Sequence, residues 1–253
     1  MIVFQYDKTF EGLLTAVFDA YSRKVFPERL VSEDEPLPLF AEQVHRVITE
    51  PEKSTRVWKA LEKKLTKSVC AMLMHVWLSE LPESDELLFR YMRKAFDAPM
   101  SIATYFADDD VLEVKKIAQK VSREREHVTQ FVRFQKASDD LFFAPASPMY
   151  NVLPLTLDYF TDRFADQIWL IYDVKRRYGY YYDLKTTSEV MLDNDEYLLS
   201  GKLDEALMAQ DEKLFQEMWK EYTLSLTIKE RLNPKLQRQY MPRRFWKYLP
   251  EKN

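Results

Sequence analysis

Glycine is scarce in this 253-residue chain: three residues, against 31 phenylalanines and tyrosines. Phosphate-binding loops need several glycines so that the backbone can approach the phosphate. Neither GxGxxG nor GxxxxGK[ST] occurs, which excludes nucleotide-binding folds of those types. The single cysteine, Cys70, excludes an internal disulfide and a cysteine-rich zinc site. It lies in the run Val69-Cys70-Ala71-Met72-Leu73-Met74 and reads as a small buried hydrophobe. Histidine is equally sparse. His45, His75 and His127 stand in separate segments with no HxH or HExxH spacing, so neither a metal site nor a cofactor is expected. No stretch approaches the roughly 18 to 20 uncharged apolar residues that span a bilayer, and the start lacks a basic segment followed by an apolar run. A cytoplasmic protein without membrane contact is the expectation.

Hydrophobic residues make up 46% and charged residues 31%, the balance of an ordinary folded protein. The length is one at which a single core begins to split into two. The net charge of −4 hides an asymmetry. Lys220 to Asn253 holds nine Lys and Arg against three Glu, and Lys115 to Lys136 holds seven against two. Acids gather at Ser32 to Glu35, Glu80 to Glu86 and Asp108 to Asp110. Local basic patches that suit a phosphate backbone therefore sit on an acidic chain.

Ile2 to Tyr6 alternates like a strand, and Thr9 is placed to cap a helix bearing Leu13, Leu14, Val17, Phe18 and Tyr21. Leu30 to Ile48 reads as a loop or weak hairpin. Helical spacing returns from Glu52 to Glu80, again from Ser84 to Phe96, and from the Asp108-Asp109-Asp110 cluster to about Thr129. The period then changes. Phe131 to Phe134 and Leu141 to Ala144 read as paired strands, Pro154 to Phe164 as a short helix, and Trp169 to Tyr172, Tyr178 to Leu184 and Glu189 to Leu192 as further strands. Helices follow at Lys202 to Ala209 and Asp211 to Thr227. Strands joined by short turns favour antiparallel pairing. The expected fold is α+β, an antiparallel sheet with helices packed on it plus a helical lobe over roughly 50–128, in a single domain spanning 1–253.

Three stretches resemble one family. The first is Tyr6-Asp7-Lys8-Thr9-Phe10-Glu11-Gly12, continuing through Leu13-Leu14-Thr15-Ala16-Val17-Phe18. The second runs from Arg123 to Phe134, followed by Tyr159-Phe160, Arg163-Phe164 and Trp169-Leu170-Ile171. The third is Arg231-Leu232-Asn233-Pro234-Lys235, with Met241-Pro242-Arg243-Arg244-Phe245-Trp246-Lys247 and Leu249-Pro250-Glu251. Together they are similar to the bacterial "probable DNA metabolism protein" family, a domain of unknown function. Its members accompany a radical-SAM DNA modification or repair protein, and some are fused to a uracil-DNA glycosylase-like domain. The resemblance implies a DNA-repair accessory and supplies no catalytic residues. The CxxxCxxC cysteines of a radical-SAM enzyme are missing here.

The residue types agree with a polyanion partner. Arg123, Arg125, His127 and Arg133 lie on the third long helix or at its end, and Arg163 ends the short one. In the tail, Arg231, Asn233, Arg243 and Arg244 are interleaved with Trp246. Guanidinium groups bind phosphate bidentately and rings stack on unpaired bases. The same tail could equally anchor the C-terminus through Phe245 and Trp246 while its arginines pair with acids. Tyr178, Tyr180 and Tyr182 would share one strand face, as a stacking platform or as ordinary sheet packing. Asp108-Asp109-Asp110 suits helix capping better than a magnesium site. Asp7 and Asp173, at strand ends, suit capping or function alike. The reading is a DNA repair or modification accessory that binds single-stranded or damaged DNA and works with a radical-SAM partner. The alternatives are a scaffold for that partner without DNA contact, and a metal-dependent nuclease or DNA-modifying enzyme.

Overall fold

Ile2–Tyr6 forms strand β1, whose Val3, Phe4 and Tyr6 are fully buried, and Thr9 ends the connection to helix α1, Phe10–Arg23. The Thr9 hydroxyl accepts from the Gly12 amide at 2.9 Å, satisfying one of the otherwise orphaned first-turn donors. Lys24, in the left-handed region at φ 57°, ends the helix. The computed structural model, which describes residues 1–192 and 207–252, divides the chain into two compact units, Met1–Ser122 and Arg123–Asn253.

In the first unit, β2 (Arg29–Ser32) and β3 (Gln43–Arg46) lie on either side of β1, and both run parallel to it. The hairpin expected within Leu30 to Ile48 does not form. Helix α1 carries the chain back across the sheet, so β2 returns in the direction of β1, as a crossover requires. The helical stretch from Glu52 to Glu80 is two helices, α2 (Pro51–Lys64) and α3 (Lys67–Trp77). Thr66 breaks them apart by capping the Val69 amide with its own hydroxyl. Helix α4 (Ser84–Asp97) follows and packs on α1, α2, α3 and β2. Helix α5 (Asp109–Phe131) begins at Asp108, whose Oδ1 accepts from the Asp110 and Val111 amides at 3.0 and 3.2 Å.

In the second unit the sheet order is β4-β5-β6-β7-β8, formed by Gln135–Lys136, Phe142–Ala146, Trp169–Asp173, Tyr178–Tyr182 and Thr187–Val190. Tight turns make β4–β5, β6–β7 and β7–β8 antiparallel, but β5 and β6 are parallel, and the strand expected at Phe131 to Phe134 is instead the end of α5 and the link to β4. Between those two strands a 3-10 turn (Leu153–Thr156) and helix α6 (Leu157–Arg163) supply the crossover. The class is therefore α+β with one parallel and one mixed sheet, not a plainly antiparallel one. Gly179 sits where β7 meets β6, and a Cβ there would collide with the Ile171 carbonyl and press on Tyr172. Helix α7 (Glu212–Ser225) and helix α8 (Pro234–Tyr240) precede 3-10 turns over Arg243–Tyr248 and Pro250–Lys252. Most of the helix expected at Lys202 to Ala209 lies outside the described residues. Trp169, Tyr172, Phe160 and Phe245 are the large side chains of this core. Among the described residues no helix is long and apolar enough to cross a membrane.

Candidate nucleic-acid interface

The apolar stripe of α5 runs through Val111, Val114, Ile117, Val121 and Val128, and Glu124 occupies the same stripe. A carboxylate there is costly unless it is fully engaged. Glu124, 3% exposed, accepts from the Met149 amide at 2.7 Å and from Arg244 Nε at 3.2 Å, and its other oxygen meets Arg244 Nη2. His127 Nδ1 stands 3.5 Å from that second oxygen, and its ring packs against Phe131 and Phe245. One buried carboxylate thus ties together α5, the segment before the first 3-10 turn and the C-terminal 3-10 turn. The carboxylate that decides this geometry is not among the expected contact residues. A glutamate in phase with the valines of α5 was the available signal.

Two further arginines in this unit show how its acids are used. Arg133 reaches Glu251 at 2.9 Å, and Trp219 Nε1 donates to the same carboxylate at 3.0 Å. Arg176 reaches the fully buried Asp173 at 2.8 Å while donating to the carbonyls of Pro148 and Met149. Burial pushes the Asp173 carboxyl up, with Arg176 and two backbone amides opposing the shift. Asp173 also accepts from the Lys175 and Arg176 amides and so closes the turn into β7. Its role is a cap.

Of the expected contact residues, Arg244 and His127 meet at Glu124, and Arg133 lies at the end of the same helix. Arg123 and Arg125 flank Glu124 on α5, exposed and half-exposed respectively. Arg243 is exposed, 5.8 Å over the ring of Trp246, and Lys252 approaches that ring at 5.1 Å. Trp246 is half-buried and donates to the Met241 carbonyl at 3.1 Å. Among the described residues no carboxylate pairs with Arg123, Arg125 or Arg243. Arg163 is exposed at the end of α6, beside Phe164. Arg231 is exposed, and Asn233 caps α8 by accepting from the Leu236 amide at 3.0 Å. No contact brings these last three to Glu124.

The tyrosine row does not form an open platform. Tyr182 stacks on Trp169 with centroids 5.3 Å apart, Tyr178 is buried with its hydroxyl on Asn151, and Tyr180 reaches Glu189 at 3.3 Å. Burial, then the Glu189 carboxylate, pushes the Tyr180 hydroxyl up to about 12. In the first unit the acidic cluster is occupied by side-chain cations. Lys94 Nζ lies 2.6 Å from Asp108 and 2.7 Å from Asp110, and Arg90 joins Asp110 at 3.0 Å. Asp7 accepts from the Thr9 amide and hydroxyl and from the Thr49 hydroxyl, so it too serves as a cap. Among the described residues no group of three or more His, Cys, Asp or Glu side chains is arranged to hold a metal ion.

No curated protein matches the sequence. One solved structure, the pGpG-specific phosphodiesterase PggH from Vibrio cholerae, aligns at 13% identity over 88% of this chain and 98% of its own, with a TM-score of 0.26, too low to inform the fold. A family profile described as a domain of unknown function matches residues 82–251, which takes in the middle and tail stretches singled out above but not the opening one. With that match over more than half of its length, the chain belongs to the DUF4130 family.

Proposed function

We propose that the protein is a DNA repair or modification accessory whose second unit binds single-stranded or damaged DNA through a basic, aromatic surface. One observation carries the reading. Arg133, Arg176 and Arg244 are each seated on a carboxylate, whereas Arg123, Arg125 and Arg243 have none among the described residues. Glu251, Asp173 and Glu124 are spent on the arginines that hold this unit together. The guanidinium groups of Arg123, Arg125 and Arg243 are thereby available to phosphate oxygens.

On this reading the clasp at Glu124 positions rather than binds. By holding Arg244 it fixes the neighbouring Arg243 and Trp246 with respect to α5, which bears Arg123 and Arg125. Phosphates along a strand supply the counter-charge, and unpaired bases reach the Trp246 ring. The similarity of three stretches to proteins that accompany a radical-SAM enzyme supports a place beside such a partner, with this chain contributing the nucleic-acid contact. The nuclease alternative loses its best carboxylates, because Lys94 and Arg90 already neutralise Asp108 and Asp110.

The test is affinity for a fluorescein-labelled 20-nucleotide single strand across a salt series. Log K should fall linearly with log salt, at about −0.7 per phosphate contacted. Arg123→Ala and Arg243→Ala should each flatten the slope by about one contact. A wild-type slope in the double variant discards this surface.

A further inference from the structure

Helix α7 is inside out. Its Glu212 is buried, accepting from the Lys136 amide at 3.0 Å and from Gln216 of the same helix at 2.8 Å, and Trp219 donates its indole N–H to Glu251 at 3.0 Å, so polar groups bind the helix to the rest of the second unit. Its apolar side chains face solvent. Phe215 is 56% exposed, Tyr222 53% and Trp219 39%. At positions i, i+4 and i+7 these three rings share one side of the helix, and Glu217 and Glu221 fall on the opposite side. The Trp219 and Tyr222 rings are 5.7 Å apart and tilted by 34°. The Arg133 guanidinium lies 5.8 Å over Trp219. Immediately downstream, Lys229, Arg231, Lys235 and Arg238 stand exposed, with no carboxylate partner among the described residues.

We infer that the Phe215–Trp219–Tyr222 stripe is a stacking platform for the unpaired bases of a single-stranded polynucleotide. This deepens the reading above and rests on it. The occupant follows from charge and ring chemistry together. The chain from Lys220 to Asn253 carries nine Lys and Arg against three Glu, so a polyanion is matched and a basic partner is not. Exposed π faces are indifferent to base identity, while a duplex hides its base faces within the stack. From Phe215 to Tyr222 the helix rises about 10 Å, enough for about three bases at a stacked spacing of about 3.4 Å. Glu217 and Glu221 point away from that side, so the strand's phosphates meet the exposed cations downstream, Lys229, Arg231, Lys235 and Arg238. The tyrosines of β7, turned into the sheet, leave this role open.

The experiment compares the full chain with Tyr222→Ala, Phe215→Ala and Tyr222→Phe on two probes, a labelled 20-nucleotide oligothymidylate and a blunt 20-base-pair duplex. Both residues are more than half exposed, so far-UV circular dichroism and thermal melting should match the wild type. Each alanine variant should weaken oligothymidylate binding roughly 10-fold, with duplex binding unchanged, and Tyr222→Phe should restore it. Unchanged single-strand affinity in the alanine variants overturns the platform while leaving the arginine surface standing. Equal losses on both probes overturn it too, since stacking cannot act on paired bases. A wild-type protein that binds neither probe overturns the nucleic-acid reading itself.

Discussion

Replacing Glu124 by glutamine removes one charge and leaves the shape. The carboxylate is 3% exposed and receives donors from Met149 and Arg244. Removing one member of a fully buried ion pair costs about 3–5 kcal/mol. The Arg244 side chain keeps 31% of its exposure, so water compensates part of its lost partner. Glutamine still offers one oxygen to the Met149 amide. The expected loss is about 2 kcal/mol, which at a urea dependence of about 2 kcal/mol per molar moves the midpoint by about 1 M. Urea unfolding followed by tryptophan fluorescence reads this, because three of the five tryptophans, Trp169, Trp219 and Trp246, belong to the second unit. Arg244→Gln should cost a similar amount, since it strands a buried carboxylate, and the double variant should cost less than the two singles together. A Glu124→Gln protein within about 0.5 kcal/mol of wild type would refute the clasp, and with it the account of how tail and α5 are joined.

Two predictions concern the first unit. Gly12→Ala, a change that favours most helices, should destabilise this one by about 1–3 kcal/mol. The added Cβ would collide with Asp7 Oδ1 and approach the Thr49 and Thr9 hydroxyls at 2.9 and 3.0 Å, which a lowered melting temperature should report. Acid denaturation should expose the Lys94 pairing. The Lys94 hydrogen bond is the main cause holding the Asp108 carboxyl below its usual range; at Asp110, burial pushes up but Arg90 and Lys94 outweigh it. Carboxyls lowered in the folded state contribute stability that is complete above their unfolded pKa of about 3.9 and lost as pH falls through the lower folded values. Lys94→Met should therefore be less stable than wild type at pH 7, with the gap narrowing below about pH 4 in parallel melts. A gap independent of pH would show that Lys94 acts through packing alone.

Much of the element list was legible because it depends on neighbours in sequence. Thr9 caps α1 and Asp108 caps α5 because a side chain two or three residues from an amide can reach it in any context. The alternation from Ile2 to Tyr6 and the short apolar run from Trp169 to Tyr172 mark strands for the same reason, since each pattern is carried by adjacent residues, and β6 is buried throughout. The direction of β2, β3 and β6 was not legible in this way. Parallel pairing depends on where α1 and α6 deliver the chain, and no local pattern carries that information.

The candidate site divides along the same line. The surplus of basic residues in α5 and in the tail, and the rings among them, belong to the sequence alone, for charge and chemistry survive any fold. Which arginines are consumed and which are left over was decided by tertiary structure, because an ion pair forms only where packing places a carboxylate within reach. Glu124 takes Arg244 across 120 residues of chain and Glu251 takes Arg133 across 118, while Arg243 keeps its charge for solvent. The tyrosines of β7 and the rings of α7 look alike as residue types. Only the packing of one inward and the other outward separates a core from a surface.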